Sequence, residues 1–449
     1  MNKVKKAFFC SNCGAEHSKW QGQCNSCKSW NTLVEEIIKN PNKKEWKSKN
    51  INGYSSKPIH IKNITSKTID KISSGDKELD RVLGGGIVPG SLVLLGGEPG
   101  IGKSTLLMQV ANSVNGKVVY VSGEESEQQI KLRSERVNKY ESDCYLLSET
   151  NTQTLLTHLD NLNPSLVIID SIQTLYSSLI DSSSGSVGQI RTCTAELIHY
   201  AKQTHTPIFI VGHITKDGSI AGPKVLEHMV DTVLNFEGDR NHLHRILRVH
   251  KNRFGTTSEL GIYEMNQSGL KAVKNPSSFL ISKYVSDLSG HSICATIEGI
   301  RPMLIEVQAL VSSAVYGTPQ RSSTGFENKR LNMLLAILEK RAGFQLGSKD
   351  VFLNLAGGIR LDDPGIDLAV IVAILSSSLD ISVPGGYIFA AEIGLSGELR
   401  NVPKIEQRIQ EASKQGFEKM VVAKTVKPVT NKIQLVQLSS VKELVQHLF

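Results

Sequence analysis

No apolar run in this chain approaches the ~18–20 residues that cross a bilayer. That lack excludes a helical membrane protein. The opening "MNKVKKAFFC" is basic but has no apolar h-region behind it, so no secretory signal is read and a cytoplasmic protein is expected. No internal repeat of solenoid period occurs, which excludes a stacked-repeat array. Net charge is also missing from most of the molecule. Residues 1–70 hold thirteen lysines and five acids, a balance of +8 that equals the charge of the whole 449-residue chain. The remainder is neutral. Tryptophan is scarce, and Trp20, Trp30 and Trp46 all fall in or near the same N-terminal stretch. A surface this basic has nucleic acid as its default partner, and a solvated lysine-rich linker is the competing reading.

What is present divides the chain into four parts. Residues 1–35 form a compact cysteine module. Residues 36–70, rich in Lys, Asn and Ser, read as a basic linker. From 71 to about 274, "SLVLLGG", "KVVYVSG", "SLVIID" and "PIFIVGH" are short apolar runs separated by helix-like segments. This is the pattern of an α/β fold with a parallel sheet covered on both faces. "DTVLNFEG", "HRILRVH" and "ELGIYEM" follow at shorter spacing, as antiparallel strands added to one edge. A further α/β domain spans 275–449 and includes the amphipathic helix "NKRLNMLLAILEKRAG".

Four of seven cysteines, Cys10, Cys13, Cys24 and Cys27, form C-x2-C-x10-C-x2-C. Two CxxC hooks in a cytosolic chain point to a structural zinc site rather than to disulfides. The closed coordination folds a segment too small for its own core. His17 reads as a bystander, Trp20 and Trp30 as packing residues of the module, and Trp46 stays open between packing and base stacking.

"GEPGIGKS" fits G-x-x-x-x-G-K-[ST], after a strand and before the helix "STLLMQVANSV". Gly97, Glu98, Pro99, Gly100, Ile101, Gly102, Lys103, Ser104 and Thr105 are therefore the candidate ATP-binding residues. Backbone N–H groups and the helix N-terminus would cradle phosphates. Lys103 would reach the β- and γ-phosphates, Ser104 would ligate Mg2+, and Thr105 would hold the α-phosphate. Asp170, ending "SLVIID", fits the second magnesium-holding position. "YVSGEES" offers Glu124 and Glu125 as the carboxylate that orients attacking water, with Glu124 preferred. His213 could sense the γ-phosphate or simply satisfy local hydrogen bonds. Two loops carry cations that could track a DNA backbone or be ordinary mobile surface. One follows Asp170 and ends in Arg191; the other holds Lys216 and Lys224.

"KNRFG", residues 251–255, closes a strand with two fixed cations, Lys251 and Arg253, that call for an anion. Here the order of motifs resembles a known family. "CSNCG", "WQGQCNSCKSWNT", "LDRVLGGGIVPGS", "GGEPGIGKST", "YVSGEES", "KNRFG" and "LEKRAG" are similar to those of the bacterial RadA (Sms) family of DNA repair proteins. The resemblance covers nearly the whole chain. It implies a RecA-like P-loop ATPase core between a four-cysteine zinc finger and a Lon-protease-like domain. It implies an ATP-driven DNA helicase or translocase that processes recombination intermediates by branch migration. Its implied partners are single-stranded and branched DNA, a RecA-type recombinase, and further copies of the chain in a hexameric ring. "KNRFG" also resembles the K-x-R-x-G motif of hexameric helicases. Lys251 and Arg253 would then act in trans, on ATP held by a neighbour's Lys103.

"GGIRLDDPGIDLAV" resembles the segment carrying the nucleophilic serine of Lon-type proteases, yet Gly365 stands at the matching place. Glu406 stands where those proteases have their lysine. A Ser–Lys dyad needs a hydroxyl and an amine within hydrogen-bond reach, so no peptidase activity is expected. Arg321, Lys329 and Arg330 are weak candidates for a DNA-facing surface. The competing functions are a RecA-type filament that exchanges strands without unwinding, an ATP-dependent protease, and a DNA-binding scaffold with a silent P-loop.

Overall fold

The computed structural model describes residues 5–11, 13–38, 60, 70–137, 143–212, 225–238, 244–281, 288–314, 318–424 and 433–449. Compactness divides the chain between Ala272 and Val273. Among the described residues no helix is long and apolar enough to cross a membrane.

The first unit opens with three antiparallel strands, β1 (Lys5–Cys10), β2 (Glu16–His17) and β3 (Leu33–Ile38). Their interior is little more than Cys10, Cys24 and Leu33. So small a core cannot offset the entropy of ordering the chain without a further crosslink.

Next come α1 (Lys77–Val82), β4 (Leu92–Gly97), α2 (Lys103–Ser113), β5 (Val118–Ser122), α3 (Glu127–Val137), β6 (Cys144–Leu147) and α4 (Thr152–Leu162). β7 (Leu166–Asp170), β8 (Ile180–Asp181), α5 (Val187–Thr204), β9 (Ile208–Val211) and α6 (Val225–Met229) follow. β10 (Thr232–Glu237), β11 (His244–Asn252), β12 (Leu260–Asn266) and β13 (Gly269–Ala272) complete the unit. Nine strands form one sheet in the order β13-β12-β11-β10-β4-β9-β7-β5-β6. The six from β10 to β6 are parallel, and β11 to β13 extend one edge antiparallel.

The unbroken apolar runs follow from burial on both faces. Val93 and Leu95 point to the side of α1, α2 and α3, with Leu79, Leu106 and Ile130. Leu92 and Leu94 point to the side of α4 and α5, with Leu155 and Leu197. β5 and β7 alternate in the same way. Side-chain caps fix several helix starts. Asp76 accepts from the amides of Glu78 and Leu79, Asn151 from Thr154, and Ser186 from Gln189.

The Ser/Gly-rich stretch after β7 departs from the expected mobile loop. It holds a 3-10 turn at Ile172–Thr174 and strand β8, and it ends at the Ser186 cap. β8 pairs with β3, which makes a second sheet of order β2-β1-β3-β8. Arg191 lies inside α5 rather than at a loop end.

The second unit contains α7 (Ser277–Leu280), β14 (His291–Glu298), β15 (Arg301–Ser313), β16 (Arg321–Thr324), α8 (Asn328–Ile337) and β17 (Lys349–Leu355). Then come α9 (Asp367–Leu379), β18 (Tyr387–Phe389), β19 (Glu392–Ile393), β20 (Leu399–Arg400), α10 (Ile405–Lys414), β21 (Lys419–Ala423), β22 (Gln434–Leu438) and α11 (Val441–Leu448). Its main sheet has the order β16-β17-β15-β14-β18-β21-β22. The expected amphipathic helix is α8, which runs into a π-helical turn at Leu338–Ala342. α9, "DLAVIVAILSSSL", is buried from Asp367 through Ser376 because its face toward β14 and β15 and its flanks are all covered.

Candidate active site

The glycine-rich turn leaves the C-terminal end of β4 at Gly97 and enters α2 at Lys103. Gly97 has φ 148°, and a Cβ there would meet Phe236 Cβ at 2.9 Å and Ile101 Cγ2 at 3.1 Å. Gly102 has φ 118°, and a Cβ would meet Met265 Cε at 2.7 Å. Both positions therefore need glycine for the turn to close. Ser104 and Thr105 occupy the next positions of α2.

Lys103 is 4% exposed, and its Nζ donates to the carbonyls of Gly97 at 2.6 Å and Glu98 at 2.9 Å. Burial lowers its pKa to about 8, against the upward pull of the Asp170, Glu124 and Glu98 carboxylates. Asp170 ends β7, as a strand-end carboxylate should, and its Oδ2 accepts from Tyr120 Oη at 2.5 Å. The Asp170–Ser171 peptide is cis. Ser171 Oγ donates to Glu124 Oε1 at 2.8 Å.

The two adjacent glutamates are separated by their partners. Glu124 turns toward Ser171 and Lys103, whereas Glu125 is held by Arg133. A cleft of about 560 Å³ opens beside them, lined by Ser122, Glu124, Glu125, Ser148 and Thr150 among others. The C-terminal ends of β4, β5 and β7 thus gather an ammonium, a hydroxyl, two carboxylates and a helix N-terminus. This donor set fits a nucleotide triphosphate and a divalent cation.

The "KNRFG" cations lie at the opposite end of the same sheet. Asn252 pairs with Thr232, which pairs with Val93 near the start of β4. The Arg253 amide donates to the carbonyl of Asp231, whose own amide donates to Leu92 O. Arg253 is therefore level with the first residue of β4, about five residues or roughly 16 Å along the strand from Gly97. Lys251 Nζ donates to three main-chain carbonyls, of Glu227, His228 and Val230, at 2.8–3.1 Å. Burial and the neighbouring Arg253 lower its pKa.

Arg253 is 57% exposed in its side chain, with Nη1 3.7 Å from Asp231 Oδ1. Asp231 is buried and organises the corner. Its Oδ2 accepts from the Leu92 amide at 3.1 Å and from Lys202 Nζ at 3.0 Å. Nothing in "HMVDTV" marked this aspartate. Tyr120, the partner of Asp170, and Arg245, whose Nε donates to the P-loop carbonyl of Ile101 at 3.2 Å, were also missed. A polar side chain inside an apolar strand was the available signal for both.

The four sulfurs of Cys10, Cys13, Cys24 and Cys27 all lie within 4.8 Å of one another, with Cys10–Cys27 at 3.6 Å and Cys13–Cys24 at 3.5 Å. Tetrahedral zinc at ~2.3 Å from each sulfur puts sulfurs roughly 3.8 Å apart, so the set fits zinc. Two expectations change here. His17 is no bystander: its Nε2 is 3.4 Å from Cys24 Sγ, and its Nδ1 is 2.9 Å from Gln21 Nε2. A ring held this way would steady the Cys24 sulfur on a bound metal. Trp20 and Trp30 do not pack the module, being 59% and 69% exposed, because its interior has room for little beyond the cysteines and Leu33.

His213, Lys216 and Lys224 lie outside the described residues. Arg191 does not face outward as a phosphate contact. Its Nη1 donates to the Gly14 carbonyl at 2.9 Å.

Residues 57–219 match a family model described as an AAA domain, and residues 8–35 match one described as a rubredoxin metal binding domain. Residues 305–426 match a model described as subunit ChlI of Mg-chelatase. The DNA repair protein RadA of Bacillus subtilis (strain 168) is 48% identical over 427 residues, spanning 94% of this chain and 93% of that protein. This chain belongs to the DNA repair protein RadA family. The RadA protein of Streptococcus pyogenes serotype M6 is 46% identical over 456 residues and spans 100% of both chains. A KaiC-like protein of Pyrococcus horikoshii OT3 aligns with a TM-score of 0.38 at 19% identity, over 46% of this chain and 99% of that one. The RadA assignment rests on the full-length relatives. The architecture of this RadA-family chain is a RecA-like P-loop ATPase domain with a four-cysteine ribbon before it and a Lon-like domain after it.

In the Lon-like unit, Gly365 sits in the turn that opens α9, and Glu406 is exposed on α10. The space at Gly365 is taken by Arg408, 2% exposed, whose Nη1 lies 2.7 Å from where a Cβ would be. Arg408 donates to both oxygens of Asp363, at 2.6 and 2.9 Å, and to Ala295 O at 2.7 Å. Arg330, expected as a weak DNA contact, is instead committed to the buried Asp367 through Nε and Nη2. Lys329 is exposed, and Arg321 reaches Asn332 at 3.3 Å.

Proposed function

We infer that this chain is an ATP-dependent DNA translocase or helicase that acts on recombination intermediates in DNA repair, working as a homo-oligomeric ring, in the hexameric form its motifs resemble. The observation that carries this reading is the placement of Lys251 and Arg253. They lie at the far end of the sheet from their own P-loop, so within one chain they cannot reach its phosphates. Arg253 projects into solvent with its backbone pinned by Asp231. A cation presented away from its own nucleotide suits the γ-phosphate of a neighbour's. Hydrolysis in one subunit then releases a contact made by the next, and the interface becomes a two-state element.

In each site Lys103 binds the β- and γ-phosphates. Ser104 and Asp170 would hold Mg2+, and Tyr120 fixes the rotamer of Asp170. Glu124, oriented by Ser171, positions the attacking water. Lys216 and Lys224 are the proposed contacts to single-stranded or branched DNA, and a RecA-type recombinase is the proposed protein partner. Peptide cleavage is not part of the function. The Lon-like site has glycine for its nucleophile, an acid for its lysine, and an arginine–carboxylate pair filling the gap.

The test is strand separation on forked DNA with ATP, comparing wild type with Arg253→Ala. ATP binding and oligomeric state are measured on both. Wild type should unwind. The variant should still bind ATP and assemble, with turnover lower by about three orders of magnitude or more. A wild type that forms open filaments and exchanges strands without unwinding, even with a recombinase present, overturns the ring-motor reading.

A further inference from the structure

The contact made by Arg191 joins two parts of the first unit that the sequence treats as separate. Gly14, whose carbonyl receives Arg191 Nη1, directly follows Cys13, and its amide donates to Cys10 O at 2.7 Å. It therefore belongs to the turn that sets the first two sulfurs. A second junction lies elsewhere on the ribbon. β3 pairs with β8 at Ile37–Asp181 and Ile38–Ile180.

The segment gripped by these junctions is the one that leads from Asp170 to α5, and α5 holds it from the other side. Gln189 is 1% exposed. Its Nε2 donates to the carbonyls of Ser177, Ile180 and Ser182 at 3.0–3.3 Å, and its Oε1 accepts from the Ser177 amide at 2.7 Å. β8 is thus clamped between a helix side chain and a strand of the metal ribbon. A two-residue strand rich in serine neighbours has little apolar burial of its own, so these clamps decide its order.

We propose that the four-cysteine ribbon docks on its own ATPase domain and braces residues 177–191, with Arg191 as the residue that joins them. The partner of this ribbon face is the β8–α5 segment of the same chain. The metal holds the Gly14 turn and the end of β1 in place; the turn receives Arg191, and β1 pairs along β3, whose far end carries β8. Because coupling between two sites is reciprocal, loss of the metal must loosen the segment. Loss of the Arg191 contact must in turn loosen the metal. This inference needs neither nucleotide nor DNA and stands apart from the motor reading above.

The experiment uses the full chain loaded with zinc. Zinc affinity is measured by equilibrium competition with a chromogenic chelator for wild type, Arg191→Lys and Arg191→Met. The methionine variant should bind zinc roughly ten times more weakly, as expected for losing a charge-assisted hydrogen bond, with lysine between. Amide hydrogen exchange is then followed on wild type with and without metal. Residues 177–190 should exchange faster without zinc, while β7 stays unchanged. The exchange arm needs no substitution, so a poorly folding variant leaves the proposal testable. Equal zinc affinities in well-folded variants, or unchanged exchange at 177–190, overturns it, since equilibrium coupling in one direction alone is not possible.

Discussion

The ATPase site and the Lon-like domain both bury charged side chains, and they treat them in opposite ways. In the ATPase site the buried Lys103 rests on two carbonyls of its own turn, near carboxylates that belong to other strands. In the Lon-like domain Arg408 and Asp363 meet as a two-pronged pair in the interior, and Arg330 closes on Asp367 in the same manner. A charge held by main-chain carbonyls can turn to a ligand at small cost. A guanidinium locked on a buried carboxylate cannot, because leaving would strand the partner without compensation. Burial alone does not separate a site from a scaffold; the identity of the partner does.

That contrast can be broken most severely at Arg408. Replacement by alanine should cost the second unit about 3–5 kcal/mol, because Asp363 is left buried and unpaired. Denaturant unfolding followed by a probe in the Lon-like unit would read this, and ATP binding by the first unit should persist. Asp363 is held below its ordinary pKa, chiefly by Arg408 acting against its own burial. Its share of stability is therefore present above the unfolded carboxylate pKa and disappears as pH falls through the lower folded value. Unfolding midpoints in wild type should fall in that acid window, and the variant should show a weaker dependence there.

A smaller effect is expected at Gly365. Serine restores the hydroxyl of a Lon-type site but places its Cβ against Arg408, so Gly365→Ser should destabilise the unit by about 1–3 kcal/mol. It should yield no peptide cleavage, since Glu406 supplies no amine. Serine-type cleavage by this variant would show that the Arg408–Asp363 pair yields to a nucleophile, and the contrast between the domains would collapse.

The smallest effect sharpens the other half. With a pKa near 8, Lys103 is about half protonated at pH 8. Phosphate binding favours the ammonium, so ATP binding at pH 8 should take up about half a proton per site. The uptake should fade toward pH 6.5, and affinity should decline as pH rises past 8. Calorimetry in buffers of different ionisation enthalpy measures it, with Lys103→Arg as the variant that should show no uptake. Equal uptake in both proteins would assign the proton elsewhere.

How much of this was readable in advance depended on distance along the chain. The P-loop is eight consecutive residues whose geometry the backbone itself supplies, and the two CxxC hooks are equally local. Asp170 was readable because strand ends are marked by where an apolar run stops. The sheet and its two covered faces were legible for the same reason. The partners of these residues were not. Tyr120 meets Asp170 across fifty positions, and Asp231 joins Leu92, Lys202 and Arg253 from three elements. Arg191 read as a loop cation because the Ser186 cap that starts α5 lay hidden in a run of serines and glycines. Trp20 and Trp30 were misread because composition says that tryptophan packs, whereas the ribbon has almost no interior to receive it.

The glycine that closes "KNRFG" approaches Gly84 of the "LGGG" turn so nearly that a Cβ on Gly255 would lie 3.1 Å from Gly84 Cα, and Asn252 Nδ2 donates to Leu83 O beside it. Two bare backbones touching make a gauge of fixed thickness. One methyl group at Gly255 would act as a shim. It would tilt the Arg253 turn outward, and if the ring proposed above forms, the same small displacement would recur at each contact between subunits.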